Sequence, residues 1–251
     1  MKQKFSFLAF LFSILLIPSV NAYEGPDLGT LYKVTMVRAA PGELEALINF
    51  YRSEKEAGYY ASIGQAQPMI MRHSQGDHWD LFLLQPVTSY QAYYSADLIS
   101  LRAQKAGKIL DHDSRINEMV VFEEHLMSYG PDVKLVNQEF SDNGYFHLEL
   151  FAAIAGMHYE LLDQRVRENA YLQAIGRKTN MIFVGDQGSD IDVFTIGFYK
   201  NLQDFAKPST ATPEQSLKAA VENGFKSSNH IGFNLREFLA YHHDTLANKV
   251  E

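Results

Sequence analysis

IGQAQPMIMRHSQGDHWDLF at residues 63–82 and IGRKTNMIFVGDQGSDIDVF at residues 175–194 decide the fold of this chain. The two stretches align without a gap at a constant offset of 175 − 63 = 112 residues. The identical pairs are Ile63 and Ile175, Gly64 and Gly176, Met69 and Met181, Ile70 and Ile182, Gln75 and Gln187, Gly76 and Gly188, Asp80 and Asp192, and Phe82 and Phe194. A gapless match of this length indicates that the chain is an internal duplication.

Each copy predicts the same order of elements. In the first copy, Leu44, Leu47, Ile48 and Tyr51 follow the i, i+3, i+4, i+7 spacing of a helix with one buried face. A strand before it, a hairpin, a second helix and a fourth strand complete a βαββαβ unit. In the second copy we predict the last strand at residues 231–239. The predicted organisation is a first unit at residues 23–129, a linker at 130–143 and a second unit at 144–251.

The first 22 residues resemble a signal peptide. Lys2 and Lys4 precede an apolar run at residues 5–17, and Pro18 and Ala22 suit the end of such a segment and its cleavage site. The run is shorter than the roughly 20 residues that a membrane-spanning helix needs. Cleavage after Ala22 leaves 251 − 22 = 229 residues with a net charge of −8 − 2 = −10. We therefore predict an exported protein, periplasmic or secreted, with no membrane partner after cleavage.

The composition excludes several classes of function. The chain has no cysteine, which excludes disulfides, a lipid anchor at cysteine and covalent haem attachment. Its acidic balance argues against a nucleic-acid partner, because phosphate backbones repel negative surfaces. Gly-rich phosphate loops and a serine nucleophile elbow are absent from the sequence. We therefore predict a soluble protein, monomeric or homodimeric, and a small-molecule ligand as its partner.

The βαββαβ order is that of a ferredoxin-like unit, whose helices cover only one face of its sheet. Two such units can bury their open faces against each other. The repeat length, the order and the duplication resemble the dimeric α+β barrel superfamily, here as a tandem duplication in one chain. This resemblance implies an α+β fold in which two tandem ferredoxin-like units form a dimeric-type barrel. The superfamily includes antibiotic-biosynthesis-type monooxygenases, lactone isomerases, stress-responsive barrels and haem enzymes.

Strand alternation predicts which side chains face the space between the two sheets. At residues 145–151 the apolar Phe146, Leu148 and Leu150 are expected to face the helices. That places Tyr145, His147, Glu149 and Phe151 on the cavity side. By the same reasoning, the inward residues of the fourth strand of the first unit are Val121, Glu123 and His125, and those of the predicted last strand are Asn234, Arg236 and Phe238.

These residues define the predicted site. His147, Glu149 and His125 are the candidate catalytic residues, since imidazole and carboxylate together can pass a proton or bind a metal. Arg236, Glu123, Asn234, Phe238 and Tyr145 are the candidate ligand-binding residues. The alternative is that the His and Glu side chains are solvated surface groups, as is common on strands.

The other histidines carry weaker signals. His73 and His78 flank the hairpin turn of the first unit and could contribute to a site at its rim. His112 is expected in a charged loop. His242-His243-Asp244 is expected to be exposed near the chain end, with metal binding as the alternative.

The first functional hypothesis is binding, with or without conversion, of a small, partly apolar molecule between the two sheets. An enzyme of this architecture would act as a cofactor-independent oxygenase or isomerase. The second hypothesis is haem or metal binding, with no cofactor assumed by default. The third is a non-catalytic interaction or stress-related protein, favoured if the space between the sheets is filled by side chains.

Overall fold

The computed structural model describes Pro26, residues 28–75 and residues 77–251. The predicted signal peptide, the start of the first unit at residues 23–25 and Gly76 of the repeat lie outside the described residues. No helix in the described part of the chain has the length and apolar character needed to cross a bilayer.

The first unit runs from β1 to β4. Its elements are β1 Thr30–Ala39, α1 Leu44–Glu56, α2 Tyr59–Ser62, β2 Met69–Gln75, β3 Leu81–Thr88, α3 Tyr90–Tyr93, α4 Ala96–Gln104, α5 Ala106–Met119 and β4 Val120–Gly130. The helix predicted from Leu44, Leu47, Ile48 and Tyr51 ends at Glu56, and Gly58 beyond it adopts φ = 65°. Glycine has no Cβ to clash in this left-handed conformation, so the chain can turn there.

The second unit repeats this order with one important difference. Its elements are β5 Tyr145–Ala153, α7 His158–Ala174, β6 Met181–Gln187, β7 Val193–Tyr199, α8 Leu202–Phe205, α9 Pro213–Glu222, α10 Ile231–Arg236 and β8 Leu239–Lys249. The last strand was predicted at residues 231–239, and this is wrong, because residues 231–236 form a helix. Ile231 and Leu235 are buried one turn apart, whereas Phe233 is 68% exposed. The i, i+4 pair was mistaken for strand alternation.

The eight strands close into one barrel in the order β1-β3-β2-β8-β5-β7-β6-β4. Within each unit the sheet order is that of a ferredoxin-like fold, β4-β1-β3-β2 and β8-β5-β7-β6. Antiparallel pairs β2–β8 and β4–β6 join the two sheets. The prediction of two tandem ferredoxin-like units in a dimeric-type α+β barrel is confirmed.

The barrel interior is a core that both units share. Phe183 and Phe194 stack at 4.6 Å between ring centroids, and Phe82 of the first unit meets Phe194 edge to face at 5.6 Å. Tyr32 meets Phe183 across the same boundary at 5.4 Å. The space between the sheets is therefore filled with side chains and does not hold the predicted ligand.

The segment at residues 130–143, predicted to be a linker, contains the helix α6, Val133–Asp142. Asp132 caps it by accepting a hydrogen bond from the Lys134 amide at 2.8 Å. Val136 is fully buried in the barrel core, and Phe140 stacks on Phe146 at 5.3 Å. The connection between the units thus covers one end of the barrel.

Candidate functional site

The structure reverses the predicted orientation of β5. Phe146, Leu148 and Leu150 belong to the barrel core and are at most 2% exposed. His147 and Glu149 project from the opposite face, toward the helix layer of the second unit. The prediction that they face the space between the sheets is wrong. Both faces of this sheet are covered, and the interior accommodates the more apolar face.

His147 and Glu149 do lie together, with Asp244 of β8 as a third member. His147 Nε2 and Asp244 Oδ1 are 2.7 Å apart. Burial lowers the pKa of His147, but the hydrogen bond to Asp244 and the charge of Glu149 outweigh it, so the net shift is upward. The same hydrogen bond lowers the pKa of Asp244. The pair can therefore hold a proton between an imidazole and a carboxylate.

Glu149 is held in a buried ionic network with α7. Its Oε2 accepts hydrogen bonds from Thr195 Oγ1 at 3.1 Å and Asn180 Nδ2 at 3.5 Å, and Arg165 Nη1 lies 3.6 Å away. Arg165 is 3% exposed and also pairs with Glu168. This network fills the space between sheet and helices in the second unit.

His125 and Glu123 lie in the first unit and do not join His147. His125 Nδ1 is 3.2 Å from Thr35 Oγ1, and its Nε2 is 3.7 Å from Glu123 Oε2. Burial lowers the pKa of His125, and the positive charge of Lys33 adds to this effect while Glu123 opposes it. These side chains lie on the helix-facing side of β4. The prediction that they face the barrel interior is therefore wrong as well.

The four remaining predicted ligand-binding residues are scattered over the second unit. Arg236 is exposed at the end of α10, and Asn234 Oδ1 accepts a 3.4 Å hydrogen bond from Arg167. Phe238 is half-buried against the helix–sheet core of the second unit. Tyr145 contacts the Phe205 ring of α8 at 6.4 Å. The structure does not bring them into one site, and the prediction that Asn234, Arg236 and Phe238 face inward on a strand is wrong.

The first unit contains a cavity of about 330 Å³ between its sheet and the helices α1, α2, α4 and α5. Aromatic and aliphatic side chains form most of its wall. Its polar and aromatic lining includes Lys33, Thr35, Tyr51, Tyr59, Tyr60, Gln65, Gln85, Tyr93, Arg102, His112, Asp113 and Glu123. Apolar walls with a few converging polar groups are typical of small-molecule sites.

Arg102 brings a guanidinium group to the wall of this cavity. Its Nη1 donates to the Tyr93 carbonyl at 2.9 Å, and the guanidinium lies 4.2 Å from the centre of the Tyr93 ring. Its Nε and Nη2 are buried without a hydrogen-bond partner among the described residues. A buried guanidinium with two free donors favours an oxyanion at that position.

Lys33 adds a second cationic group from β1. Burial lowers the pKa of Lys33, and repulsion from Arg102 lowers it further. The charges of Glu123 and Asp113 oppose this shift without cancelling it. In the described part of the chain its ammonium forms no ion pair. Lys33 therefore loses its proton more easily than an exposed lysine does.

Tyrosine rings and a histidine form the aromatic wall. The His112 ring stacks on Tyr59 at 4.0 Å with an interplanar angle of 5°, and its Nε2 is buried without a partner in the described structure. Burial raises the pKa of Tyr59 to about 12 and also raises the pKa of Tyr51 and Tyr60. The phenols therefore stay neutral and can donate hydrogen bonds.

The duplication shows that the open space is a property of one unit. Thr35 and Glu149 occupy equivalent positions in the two units. Each lies four residues before an alanine whose amide donates to the repeated aspartate of its unit, Ala39 to Asp80 and Ala153 to Asp192. Tyr51 and Arg165 likewise each lie four residues after a fully buried leucine of the first helix of their unit. Where the second unit has the Glu149–Arg165 ion pair, the first has the smaller Thr35 and the neutral Tyr51.

The site predicted from the sequence did not include four residues that line this cavity, Lys33, Tyr51, Arg102 and His112. His112 was expected in a loop, yet it follows Ile109 by three residues and precedes Ile116 by four. That spacing is the signal of a buried helical stripe. The sequence holds no comparable signal for Arg102, because its neighbours in the cavity come from distant elements.

Solved structures share this fold at low identity. One described as an anthrone oxidase-like protein superposes with a TM-score of 0.59 and 12% identity, over 89% of this chain and 92% of that chain. One described as a putative monooxygenase from Fusobacterium nucleatum subsp. nucleatum ATCC 25586 gives a TM-score of 0.50 and 10% identity, over 88% and 93%. These likenesses confirm the predicted dimeric α+β barrel fold.

No protein-family model matches the sequence. No curated protein matches it either. The function therefore has to be argued from the site.

Proposed function

We propose that this protein binds a small planar aromatic anion, a carboxylate or a phenolate, in the helix–sheet cavity of its first unit. The observation that carries the proposal is the buried Arg102 guanidinium, whose Nε and Nη2 lack partners in the described chain. An anion supplies the acceptors that these two donors lack. Tyr59, Tyr60 and Tyr93 supply flat apolar surface for its ring.

A filled barrel interior by itself would favour the non-catalytic alternative. The cavity beneath α1 and α5 favours binding instead, and its volume of about 330 Å³ lies at the lower end of the roughly 300–1,000 Å³ of ligand sites. The binding site in this proposal is thus between sheet and helices, away from His147 and Glu149. Whether those two residues have a catalytic role stays a prediction.

Proton transfer is the chemistry that this cavity supports best. Lys33 in its amine form can accept a proton from a bound phenol, and Arg102 stabilises the anion that results. Such a step resembles what an oxygenase or isomerase of this fold would need first. The names anthrone oxidase-like and monooxygenase among structures of the same fold make phenolic substrates the natural probes.

Haem, which the superfamily resemblance also implies, does not fit this cavity. A tetrapyrrole with its propionates is far larger than the one-ring or two-ring molecule that about 330 Å³ can hold. The His112 ring, whose Nε2 has no partner in the described structure, stacks on Tyr59 and meets Tyr60 edge to face. We expect protein supplied with haem and then freed of unbound haem by desalting to retain no Soret band, and a stoichiometric band would overturn this conclusion.

Calorimetric titration with benzoate, salicylate and 1-naphthoate tests the proposal, with benzamide as the neutral analogue. Arg102→Gln removes two charge-assisted hydrogen bonds, each worth about 1.5–3 kcal/mol, so affinity should fall at least tenfold. Arg115→Gln is the matched control. Arg115 also lies over an aromatic ring, Phe50, at 4.4 Å, but outside the cavity wall. Equal binding of benzoate and benzamide, or equal losses in both variants, would contradict the proposal.

The proton transfer has its own readout in 4-nitrophenol, which is yellow only as the phenolate. Below the ordinary pKa of this probe, bound molecules should turn yellow with wild-type protein. The colour should be lost in Lys33→Met, which keeps an unbranched apolar stem but has no amine to accept the proton. If the colour persists in Lys33→Met and disappears only in Arg102→Gln, Lys33 is not the base.

We also propose that the protein is exported and cleaved after Ala22, on the evidence of its first residues alone. Mass spectrometry of the protein from the native host checks this, because cleavage leaves a chain that begins at Tyr23. A monomeric or homodimeric state remains a prediction for light scattering to measure.

A further inference from the structure

The hairpins of both units meet at the end of the barrel opposite α6. There the structure encloses a small cavity of about 30 Å³. Its lining is Met36, Asp77, His78, Trp79, Glu124, Leu150, Asp190, Ile191, Tyr241 and His243. A polar space of this size holds one or two waters or an ion, but no organic ligand.

Asp77 is the most buried acidic group at this end of the barrel. Its side chain is 0% exposed. Oδ1 lies 2.8 Å from His78 Nδ1 and 3.4 Å from His243 Nδ1. Oδ2 is buried and has no hydrogen-bond partner among the described residues. A buried carboxylate oxygen without a partner costs free energy unless an ion or a water satisfies it.

The three side chains come from both halves of the molecule. Asp77 and His78 belong to the turn between β2 and β3, and His243 lies on β8 opposite Leu150 of the barrel core. At the equivalent place in the other half, Ser189 donates to Glu124 at 2.5 Å. That half of the cavity wall carries oxygen atoms but no imidazole.

We propose that Asp77, His78 and His243 bind one divalent transition-metal ion, of which zinc is the type case. One ligand atom from each of the three residues lies within 4.8 Å of the others. Two imidazoles with a carboxylate are a ligand set that zinc and neighbouring metals favour. Glu124 and Asp190 in the same cavity wall are placed to bind a metal-bound water.

The distances need little adjustment to fit an ion. Zn–N and Zn–O bonds of about 2.0–2.1 Å in a tetrahedral site put ligand atoms ~3.3 Å apart. The His243 Nδ1–Asp77 Oδ1 distance of 3.4 Å already matches, and the His78 contact at 2.8 Å has to open. His78 and His243 are 48% and 38% exposed, so an ion can enter from solvent.

A second group of potential ligands, His147, Glu149 and Asp244, is less suited to a metal. Glu149 already accepts hydrogen bonds from two side chains and lies 3.6 Å from the Arg165 guanidinium. A positive charge at that distance opposes a cation. The site at the hairpin end has no arginine or lysine in its lining.

Titration of chelator-treated full-length protein with Co²⁺ and Zn²⁺ tests the proposal. We expect one ion per chain, a visible d–d absorption for Co²⁺ and a Tm that rises by roughly 5–10 °C at a hundredfold excess of Zn²⁺ over Kd. His243→Ala and His78→Ala should each weaken binding at least tenfold. His242→Ala is the matched control, because His242 neighbours His243 on β8 but stacks on Phe151 on the helix side.

Three results would overturn the proposal. The first is no binding of either ion by the wild-type protein at submillimolar concentrations. The second is unchanged affinity in both His243→Ala and His78→Ala, each shown to be folded by its unfolding curve in chelator. The third is loss of the Co²⁺ spectrum in Asp244→Asn with retention in His78→Ala, which would move the metal to the second group.

Discussion

Replacing Phe194 by alanine tests whether the two units really share one core. Phe194 is fully buried, stacks on Phe183 at 4.6 Å and touches Phe82 of the other unit at 5.6 Å. Its removal leaves a void bounded by side chains from both sheets. The closed barrel offers no free edge along which the surrounding strands could collapse into it.

The expected loss of stability is about 3–5 kcal/mol, the usual cost of truncating a buried phenylalanine to alanine. For a chain of this size each kcal/mol lowers the Tm by about 2–4 °C, so the Tm should fall by roughly 6–20 °C. Because the void belongs to both units, they should still unfold together in one transition.

Urea unfolding, followed by far-ultraviolet circular dichroism and by the fluorescence of Trp79, measures both quantities. Trp79 is fully buried in the first unit, 5.7 Å from Phe82, and reports on that unit while circular dichroism reports on the whole chain. Phe233→Ala is the control, since Phe233 is 68% exposed and should cost less than about 0.5 kcal/mol. A loss below 1 kcal/mol for Phe194→Ala, or a Trp79 signal that does not respond, would refute the shared core.

Three further predictions follow from local contacts. The pKa of His147 is raised and that of Asp244 is lowered, so their pairing stabilises the fold above the ordinary pKa of Asp and below that of His. Asp244→Asn should therefore cost up to about 1 kcal/mol of folding stability at pH 5.5 and less at pH 8.5. An equal loss at both pH values in urea unfolding would contradict this. Asp80→Ala leaves the buried Ala39 amide without its 2.8 Å acceptor and should cost about 1–3 kcal/mol, whereas Asp80→Asn should recover part of it. Gly58→Ala should cost about 1–2 kcal/mol for the left-handed conformation alone, because an added Cβ meets no atom within 4 Å; a stabilised variant in the same assay would show that the helix break is not needed.

The repeat in the sequence predicted the architecture because each strand or helix inferred in one unit could be checked against the equivalent segment of the other. The Asp80 and Asp192 pair shows why: both accept a hydrogen bond from the end of the first strand of their unit. The identical pairs end at Phe82 and Phe194, and beyond them the second unit has 239 − 199 − 1 = 39 residues between β7 and β8, against 120 − 88 − 1 = 31 between β3 and β4. There Leu239–Lys249 is too polar to indicate a strand, although it pairs with β5 along its length.

The site could not be predicted in the same way because alternation tells two faces apart without telling which one is inside. In β5 the apolar face was assigned to the helices, since the interior was assumed to be a pocket. The structure places Leu148 inside and Glu149 against Arg165. The cavity of the first unit exists because Thr35 and Tyr51 leave space between the sheet and the helices. A sequence pattern shows which residues are present, but only the folded structure shows the volume that they leave empty.

Joining the two units in one polypeptide removes a restriction that identical subunits of a dimer obey. In a symmetric pair every substitution occurs twice, so a bulkier residue closes both copies of a pocket or neither. Here position 149 is Glu while position 35 is Thr. The second unit can thereby be stabilised by internal ion pairs while the first keeps its cavity, and the proposed ligand would bind at a stoichiometry of one per chain.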